Sequence, residues 1–427
     1  MQTIAHIVHA KWILSGIPSQ PALKDHALCI DDGKIKAILP TAQAEEIYTA
    51  KRVDRYLEHT VMPGLVNAHT HIGMNYFRGL GSDLSLMDWL HKHMFPTEKK
   101  WLTHDFVYDV SLFAMAEMIR SGTTCFNDMF YFLSATAEAA IQSGMRACIG
   151  MTVLEFPTNW AETPDEYFTK GLDFYEQYKN HDYITTTFAP HAPYTVSDKS
   201  FMRIRELAEQ FQFKINLHLH ETADEINQSM EQFGKRPMQR LHDLGLLSPE
   251  LIAVHCANLN AEDLALLAET KASVVHCPES NMKLASGICP VSELRALGVN
   301  VALGTDSVAS NNDLDMLSEM RTAALLAKVS TLNPESLKAK EAIALATING
   351  AKAVGLDHLT GSLEVDKAAD FIAVHMEDIE MLPVFEPESQ IVYSANRQQV
   401  SDVWVNGKQL MKNRELLTID ESKSKII

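Results

Sequence analysis

The fold of this chain is decided by the stretch Met62-Pro63-Gly64-Leu65-Val66-Asn67-Ala68-His69-Thr70-His71. An apolar run ends there in two histidines two residues apart, and Pro63-Gly64 provides a turn at its start. Side chains at positions i and i+2 of a strand point to the same face, so His69 and His71 can hold one metal ion between them. A His-x-His pair by itself is equally compatible with two surface histidines. The stretch therefore predicts two ligands of a metal site at a strand end. The remaining ligands have to come from other parts of the chain.

Composition and charge narrow the class of protein. The chain has 427 residues, enough for two or three domains, although one α/β barrel can account for most of that length. Its net charge of −18 repels phosphate backbones and anionic membrane surfaces, so no nucleic-acid or membrane partner is expected. The six cysteines are scattered without a CxxC pair, which is typical of a reducing compartment, and no apolar run is long enough to span a membrane. We therefore expect a cytoplasmic protein.

Residues 61–366 alternate between strand-like and helix-like segments. Helix-period stretches such as 106–120, 199–210, 261–269 and 314–329 separate the strand-like runs. Regular β/α alternation is typical of a parallel barrel, and eight runs match a (β/α)8 TIM-type barrel. The eight runs are the one that ends at His69 and those at 123–128, 147–153, 184–189, 214–219, 251–255, 272–276 and 299–304. The sequence predicts an α/β fold with this barrel at its centre.

Both ends of the chain are rich in strand signals. In residues 1–60, two apolar runs flank Asp31-Asp32-Gly33, which is a strong hairpin signal. In residues 367–427, the runs 370–374 and 403–405 precede an Asn406-Gly407 turn. We expect the two ends to form one small composite β-sandwich domain beside the barrel. The alternative is two unrelated β appendages.

Polar residues recur where the predicted barrel strands end. In a (β/α)8 barrel the carboxyl ends of all strands share one face, and that face carries the chemistry. A random scatter of 18 histidines would not fall at these ends so regularly. The residues at or just beyond strand ends are His69, His71, Asp128, His191, His218, His255, His276 and Asp306.

Two of these strand ends offer the missing metal ligands. In His218-Leu219-His220-Glu221, either histidine is a candidate third ligand, and Glu221 is a candidate proton donor. Asp306 ends the eighth strand and faces the same mouth as His69, although an N-cap for the next helix is the alternative. Three histidines and an aspartate around a zinc-like ion leave a position for water, whose pKa falls from about 15.7 towards 7. His255 would lie beside the resulting hydroxide, unless it is a buried structural histidine.

The assembled motifs resemble the amidohydrolase superfamily. Within it, the sequence is most similar to the branch of methylthioadenosine/S-adenosylhomocysteine deaminases, beside the chlorohydrolases that act on triazines. The resemblance extends over almost the whole chain. It is carried by Pro63 to His71, Arg78-Gly79-Leu80, Phe95-Pro96-Thr97-Glu98, Ala189-Pro190-His191-Ala192-Pro193-Tyr194, His218 to Glu221, Val254-His255-Cys256, Cys277-Pro278-Glu279-Ser280-Asn281 and Leu303-Gly304-Thr305-Asp306.

The resemblance implies a role for each matching residue. The metal ligands would be His69, His71, His218 and Asp306. Glu221 would protonate the purine ring nitrogen beside the carbon under attack, because attack at that carbon breaks aromaticity. His255 and Asp306 would activate the water, and Asp306 would pass its proton to the departing amine. Glu98 would hold the ribose hydroxyls and His191 would also contact the nucleoside.

The resemblance further implies one divalent metal ion, with Zn²⁺ expected and Fe²⁺ or Mn²⁺ as alternatives, a small nucleoside substrate and a homo-oligomer. Relatives that accept a homocysteine tail would bring an arginine to its carboxylate. The stretch 152–160 after the third strand contains no arginine and several apolar residues. We therefore expect 5'-methylthioadenosine to be preferred over S-adenosylhomocysteine or adenosine. The alternatives are a triazine or guanine hydrolase on the same scaffold and a non-catalytic scaffold protein.

Overall fold

The computed structural model describes residues 1–421, and within them the chain forms sixteen strands in two sheets. Eight strands come from the middle of the chain and eight from its two ends. The strands are β1 (Gln2–Ile13), β2 (Leu23–Asp31), β3 (Lys34–Pro40), β4 (Tyr48–Pro63), β5 (Leu65–Thr70), β6 (Thr123–Phe130), β7 (Arg146–Val153), β8 (Ile184–Pro190), β9 (Ile215–Leu219), β10 (Leu251–His255), β11 (Ser273–His276), β12 (Val301–Leu303), β13 (Phe371–His375), β14 (Val400–Val405), β15 (Lys408–Lys412) and β16 (Glu415–Leu416).

Strands β5 to β12 form the predicted barrel. Each is hydrogen-bonded to the next in chain order, and all of these pairings are parallel. A parallel bridge between Thr70 and Asp306 joins the two end strands, so the residue that follows β12 also closes the ring. All eight predicted strands are present, and the (β/α)8 fold is confirmed.

Helices cover the outside of the barrel, and several of them begin at side-chain caps. Thr103, Thr163, Ser197 and Thr222 each accept a hydrogen bond from a backbone N–H in the first turn of the helix that follows. The α-helices are α1 (Thr41–Ile47), α2 (Leu86–Trp89), α3 (Phe95–Trp101), α4 (His104–Arg120), α5 (Leu133–Ser143), α6 (Pro164–Tyr178), α7 (Asp198–Phe211), α8 (Ala223–Phe233), α9 (Pro237–Asp243), α10 (Ala261–Thr270), α11 (Pro278–Lys283), α12 (Val291–Ala296), α13 (Met316–Thr331), α14 (Ala339–Leu345), α15 (Ile348–Ala353) and α16 (Pro387–Tyr393). A π-helical turn at Leu90–Met94 joins α2 to α3.

The remaining strands form one mixed sheet that combines both ends of the chain. Its order is β16-β15-β14-β13-β4-β1-β2-β3, so β4 from the N-terminal part lies between β1 and β13. The rings of Phe371 and Trp404 stack at 4.4 Å in the core of this domain. The composite domain predicted from the two ends is therefore confirmed, and the two-appendage alternative is wrong.

The chain passes from the mixed sheet into the barrel at Gly64. A Cβ atom at this position would lie 2.1 Å from Oγ1 of Thr124, so only glycine fits. The N–H of Gly64 donates to the carbonyl of Asp370 at 3.1 Å. Asp370 also forms a fully buried ion pair with Arg146 of β7, at 2.5 Å, which fixes the β-domain to the barrel wall. The domain limits at 60 and 366 stay a prediction.

The six cysteines are all buried free thiols. Across residues 1–421, we find no helix with the length and apolar character needed to traverse a bilayer.

Candidate metal centre and active site

Four side chains converge at the mouth of the barrel. His69 lies near the end of β5, His71 directly follows this strand, His218 lies on β9 and Asp306 lies three residues beyond β12. The three Nε2 atoms of the histidines lie 3.1–3.2 Å from one another. Oδ1 of Asp306 lies 3.2 Å from Nε2 of His71 and 3.6 Å from Nε2 of His69. The structure thus brings together residues that are separated by more than two hundred positions in the sequence.

The spacing of these atoms fits a tetrahedral metal ion. A tetrahedron whose corners lie about 2.0–2.1 Å from a central Zn²⁺ has edges of about 3.3 Å, close to the observed spacings. The three Nε2 atoms cannot all hydrogen-bond to one another, because a neutral ring nitrogen carries either one hydrogen or one lone pair. A cation satisfies all of the lone pairs together. In the described part of the chain, these four residues form the one group of this kind.

Surrounding groups orient the ligands. Nδ1 of His71 donates to the carbonyl of Met129 at 2.6 Å, which leaves the lone pair of Nε2 for a metal. Nδ2 of Asn216 lies 3.2 Å from Nδ1 of His69, and Oδ1 of this amide has no hydrogen-bond partner among residues 1–421. The amide turned over would accept the hydrogen of Nδ1 instead. The ring of His71 is therefore held in the tautomer that a metal requires.

Two serines hold the aspartate. The hydroxyls of Ser280 and Ser310 both donate to Oδ2 of Asp306 at 2.6 Å, so Oδ1 is directed at the histidines. Burial opposes ionisation of this carboxyl, but hydrogen bonds from His69 and His71 hold its pKa well below its usual range. Asp306 is therefore an anion in the folded protein, with Oδ1 directed at the Nε2 atoms of His69 and His71.

Two neighbouring histidines are excluded from the ligand set. Nε2 of His220, the other candidate in the β9 motif, accepts a hydrogen bond from the backbone N–H of Met238 at 3.0 Å, and its Nδ1 lies 3.4 Å from Asp263. It therefore supports the loop beneath the site. His276 is buried at the end of β11, where burial lowers its pKa to about 3.

Glu221 and His255 lie on the cavity side of the cluster. Oε2 of Glu221 is 3.9 Å from Nε2 of His255. Burial raises the pKa of Glu221 to about 7, although the charge of His255 opposes the rise. Nδ1 of His255 donates to Oδ1 of Asn281 at 2.8 Å, and its Nε2 faces Glu221. The pair thus places a carboxyl that is half protonated near neutral pH beside an imidazole.

A cavity of about 650 Å³ lies over these groups, with apolar walls and a few polar side chains. Glu98 reaches it from α3, and burial raises the pKa of its carboxyl to about 8. His191 lies beyond β8, where burial and the charges of His71 and His69 lower its pKa to about 3. The apolar walls are provided by Met74, Leu86, Trp89, Leu90, Phe95 and Leu284. All eight predicted site residues therefore line this cavity or the metal cluster below it.

The family profile for the Amidohydrolase family matches residues 60–410, which include the whole barrel and all of these residues.

The chain belongs to the amidohydrolase family.

Among the relatives of this amidohydrolase is a 5-methylthioadenosine/S-adenosylhomocysteine deaminase from Teredinibacter turnerae, which is 47% identical over 417 residues and covers 98% of this chain and 94% of its own. A crystal structure of an adenosine deaminase from Xanthomonas campestris with bound zinc is 44% identical, with a TM-score of 0.98 over 99% of this chain and 96% of that one. A zinc complex of atrazine chlorohydrolase from Arthrobacter aurescens has a TM-score of 0.92 but 21% identity, over 98% of both chains, and shows the shared fold alone.

A second cavity of about 740 Å³ adjoins the first in this amidohydrolase. Phe95, Glu98 and Tyr131 line both cavities. The second cavity lies between α3 and the loop after β7, and its walls are mainly apolar. Its other lining residues are Lys99, Leu102, Phe156, Pro157, Thr158 and Asn159.

Sequence reasoning missed the groups that hold the ligands. Ser280 and Asn281 belong to a motif that carries the family resemblance, directly after β11, but nothing in that motif indicates which side chains they contact. Ser310 lies in no motif. The one signal available was the position of Ser280 and Asn281 just beyond a barrel strand.

Proposed function

We propose that this amidohydrolase hydrolyses the amino group of an adenosine-type nucleoside, with 5'-methylthioadenosine as the preferred substrate, to give the inosine derivative and ammonia. The observation that carries the proposal is the position of Glu221. A carboxyl with a pKa of about 7 faces the cavity beside a cluster of metal-ligand geometry. The names of the relatives in the deaminase branch support the same reaction.

We propose Zn²⁺ as the metal held by His69, His71, His218 and Asp306. Three imidazole nitrogens and one carboxylate oxygen at tetrahedral spacing suit zinc, and a relative of high identity was crystallised with it. When bound, zinc would make a water molecule acidic enough to act as the nucleophile at neutral pH.

The acid–base steps are assigned to three residues. Glu221 donates its proton to the purine ring nitrogen next to the amine-bearing carbon, so negative charge does not build up on the ring. His255 accepts a hydrogen bond from the attacking water through Nε2 and orients it. Oδ1 of Asp306 takes a proton from that water and passes it to the amine, which leaves as ammonia. The inosine derivative retains the oxygen of the water, and the remaining hydroxyl proton returns to Glu221 as the carbonyl forms.

Substrate binding is assigned to Glu98 and His191. The carboxyl of Glu98 accepts hydrogen bonds from the ribose hydroxyls. His191 is neutral near pH 7, because its pKa of about 3 lies far below that pH. It therefore contacts the nucleoside as a hydrogen-bonding ring without charge.

The second cavity is proposed to take the 5' substituent. Its mainly apolar lining supports a preference for the small methylthio group over a homocysteine tail with two charges. Lys99 is the only basic residue among those described as lining it. We therefore expect S-adenosylhomocysteine to be a poorer substrate, whose carboxylate depends on Lys99.

The test is an ammonia-release assay on zinc-loaded protein with 5'-methylthioadenosine, S-adenosylhomocysteine, adenosine, guanine and a triazine. We expect the methylthio nucleoside to have the highest kcat/KM. Glu98→Ala should lower kcat/KM for adenosine about a hundredfold, since it removes two hydrogen bonds of about 1.5 kcal/mol each, but hardly affect 2',3'-dideoxyadenosine. Glu176→Ala, an exposed glutamate on α6, is the control.

Two results would overturn the proposal. Turnover of guanine or a triazine without turnover of any adenosine nucleoside would establish a different hydrolase on the same scaffold. Failure of the purified protein to bind added zinc would establish the non-catalytic alternative.

We also propose a cytoplasmic location, supported by six buried thiols without a disulfide. Assembly into a homo-oligomer stays a prediction, which sedimentation of the purified protein would test.

A further inference from the structure

We infer that Asn159 is a positioning residue for nucleoside binding, because it ties the short helix that carries Glu98 to the loop after the third barrel strand. The inference rests on the proposed function of Glu98. It assigns a role in ribose recognition to a residue that lies outside every motif of the family resemblance.

Packing alone does not fix helix α3. None of the seven residues of Phe95–Trp101 is fully buried, although Glu98 is half-buried in the cavity, and 51% of the surface of Trp101 is exposed. The flanking residues Met94 and Leu102 are buried in the core, and Phe95 is the residue of α3 that packs against it. A seven-residue helix has little stability of its own. The orientation of Glu98 therefore depends on contacts made by the backbone of α3 and by its partly buried side chains.

Asn159 provides the contacts at the C-terminal end of α3. Its Nδ2 lies 2.9 Å from the carbonyl of Leu102 and 3.0 Å from that of Lys99, with a longer distance of 3.5 Å to that of Glu98. The last carbonyls of a helix have no partner within the helix, and a side-chain amide has two hydrogens. The two shorter contacts use both hydrogens, while the carbonyl of Glu98 accepts from the N–H of Leu102.

The same loop holds the N-terminal end of α3. The ring of Phe156 packs edge-on against the ring of Phe95, with centroids 5.8 Å apart. Phe156 and Asn159 therefore contact the helix one turn apart, on either side of Glu98 in sequence. This two-point attachment determines how far the carboxyl of Glu98 enters the cavity.

Hydrogen bonds hold the loop after β7 in place against helix α6. The N–H of Thr158 donates to the carbonyl of Ala161 at 2.8 Å and closes a tight turn around Asn159. The hydroxyl of Tyr167 on α6 donates to Oγ1 of Thr158 at 2.8 Å, and Tyr167 is fully buried. Asn159 is thus fixed to α6, and through Asn159 the end of α3 is fixed as well.

The test measures KM and kcat separately with adenosine and with 2',3'-dideoxyadenosine. We expect Asn159→Ala and Asn159→Asp to raise KM for adenosine about tenfold and to change kcat less than threefold. Asp has the shape of Asn but has no hydrogens to donate, and its charge is unfavourable at a helix C-terminus. Neither variant should change KM for the dideoxy nucleoside more than twofold. Asn396→Ala, which removes an asparagine cap in the β-domain, is the matched control.

The outcomes separate this inference from the proposed function. Equal losses on both nucleosides, or an Asn159→Asp protein that behaves like the wild type, would show that Asn159 does not act through Glu98. If the wild-type protein deaminates neither nucleoside, the proposed function fails first. If Glu98→Ala affects both nucleosides equally, the ribose role fails and this inference fails with it. Zinc content is measured for every variant, because it should stay unchanged.

Discussion

Replacing Ser280 and Ser310 with alanine should weaken metal binding without touching any metal ligand. The two hydroxyls are the donors at 2.6 Å that fix Oδ2 of Asp306, in a site from which water is largely excluded. A hydrogen bond to a charged group contributes about 1.5–3 kcal/mol, and 1.4 kcal/mol corresponds to a factor of ten. We expect each single variant to lower zinc affinity about tenfold and the double variant about a hundredfold.

Zinc affinity is measured on metal-free protein by competition with a chromophoric chelator at constant pH. Ser111→Ala is the matched control, because the hydroxyl of Ser111 is buried but has no hydrogen-bond partner in the described structure. A double variant that binds zinc within twofold of the wild type would refute the reasoning. It would mean that the backbone around Asp306 positions the carboxylate without help from the serines.

Three further predictions concern pH, specificity and stability. The proton on Glu221 is lost as pH rises through its pKa of about 7, so kcat/KM should fall about tenfold per unit above that pH; a flat profile from pH 6 to 9 would contradict this. Lys99→Ala should lower kcat/KM for S-adenosylhomocysteine about tenfold and leave that for methylthioadenosine unchanged. Equal effects on both substrates would mean that Lys99 does not contact the homocysteine carboxylate. Asp370→Ala leaves the buried charge of Arg146 without its partner and should lower the free energy of unfolding by about 3–5 kcal/mol, measured by urea denaturation. Glu176→Ala should leave the urea midpoint of unfolding almost unchanged.

The barrel was predictable because each of its strands can be identified from a few consecutive residues of the sequence. Each barrel strand is a short apolar run bounded by helix-period residues, and the strand ends carry the ligands. The long strands β1 and β4 were not identified at their full length. In β4, half-buried and exposed residues alternate over ten positions that are mostly polar, so the apolar signal is weak until Val61. Its true partners, β1 and β13, lie at opposite ends of the sequence.

The ligands themselves were easier to predict than what surrounds them. Metal ligation requires particular residue types, so His218 and Asp306 were recognisable at strand ends. Ser280 acts only because the start of α11 lies next to the loop after β12, which is a property of the folded barrel. Asn159 acts on a helix more than fifty residues earlier in the chain. A serine or an asparagine in a loop carries no signal of such a contact.

The place of β4 in the mixed sheet has a consequence for biosynthesis. Until β13 leaves the ribosome, one edge of β4 has no neighbour to pair with, and unpaired edges promote association between chains. About 300 residues separate the end of β4 from the start of β13, which at about 5–20 residues per second amounts to about 15–60 s of translation. In a nascent chain of this enzyme, the unpaired edge of β4 therefore needs protection from association with other chains. Ribosome pausing before codon 371 would lengthen the time for which this edge is exposed.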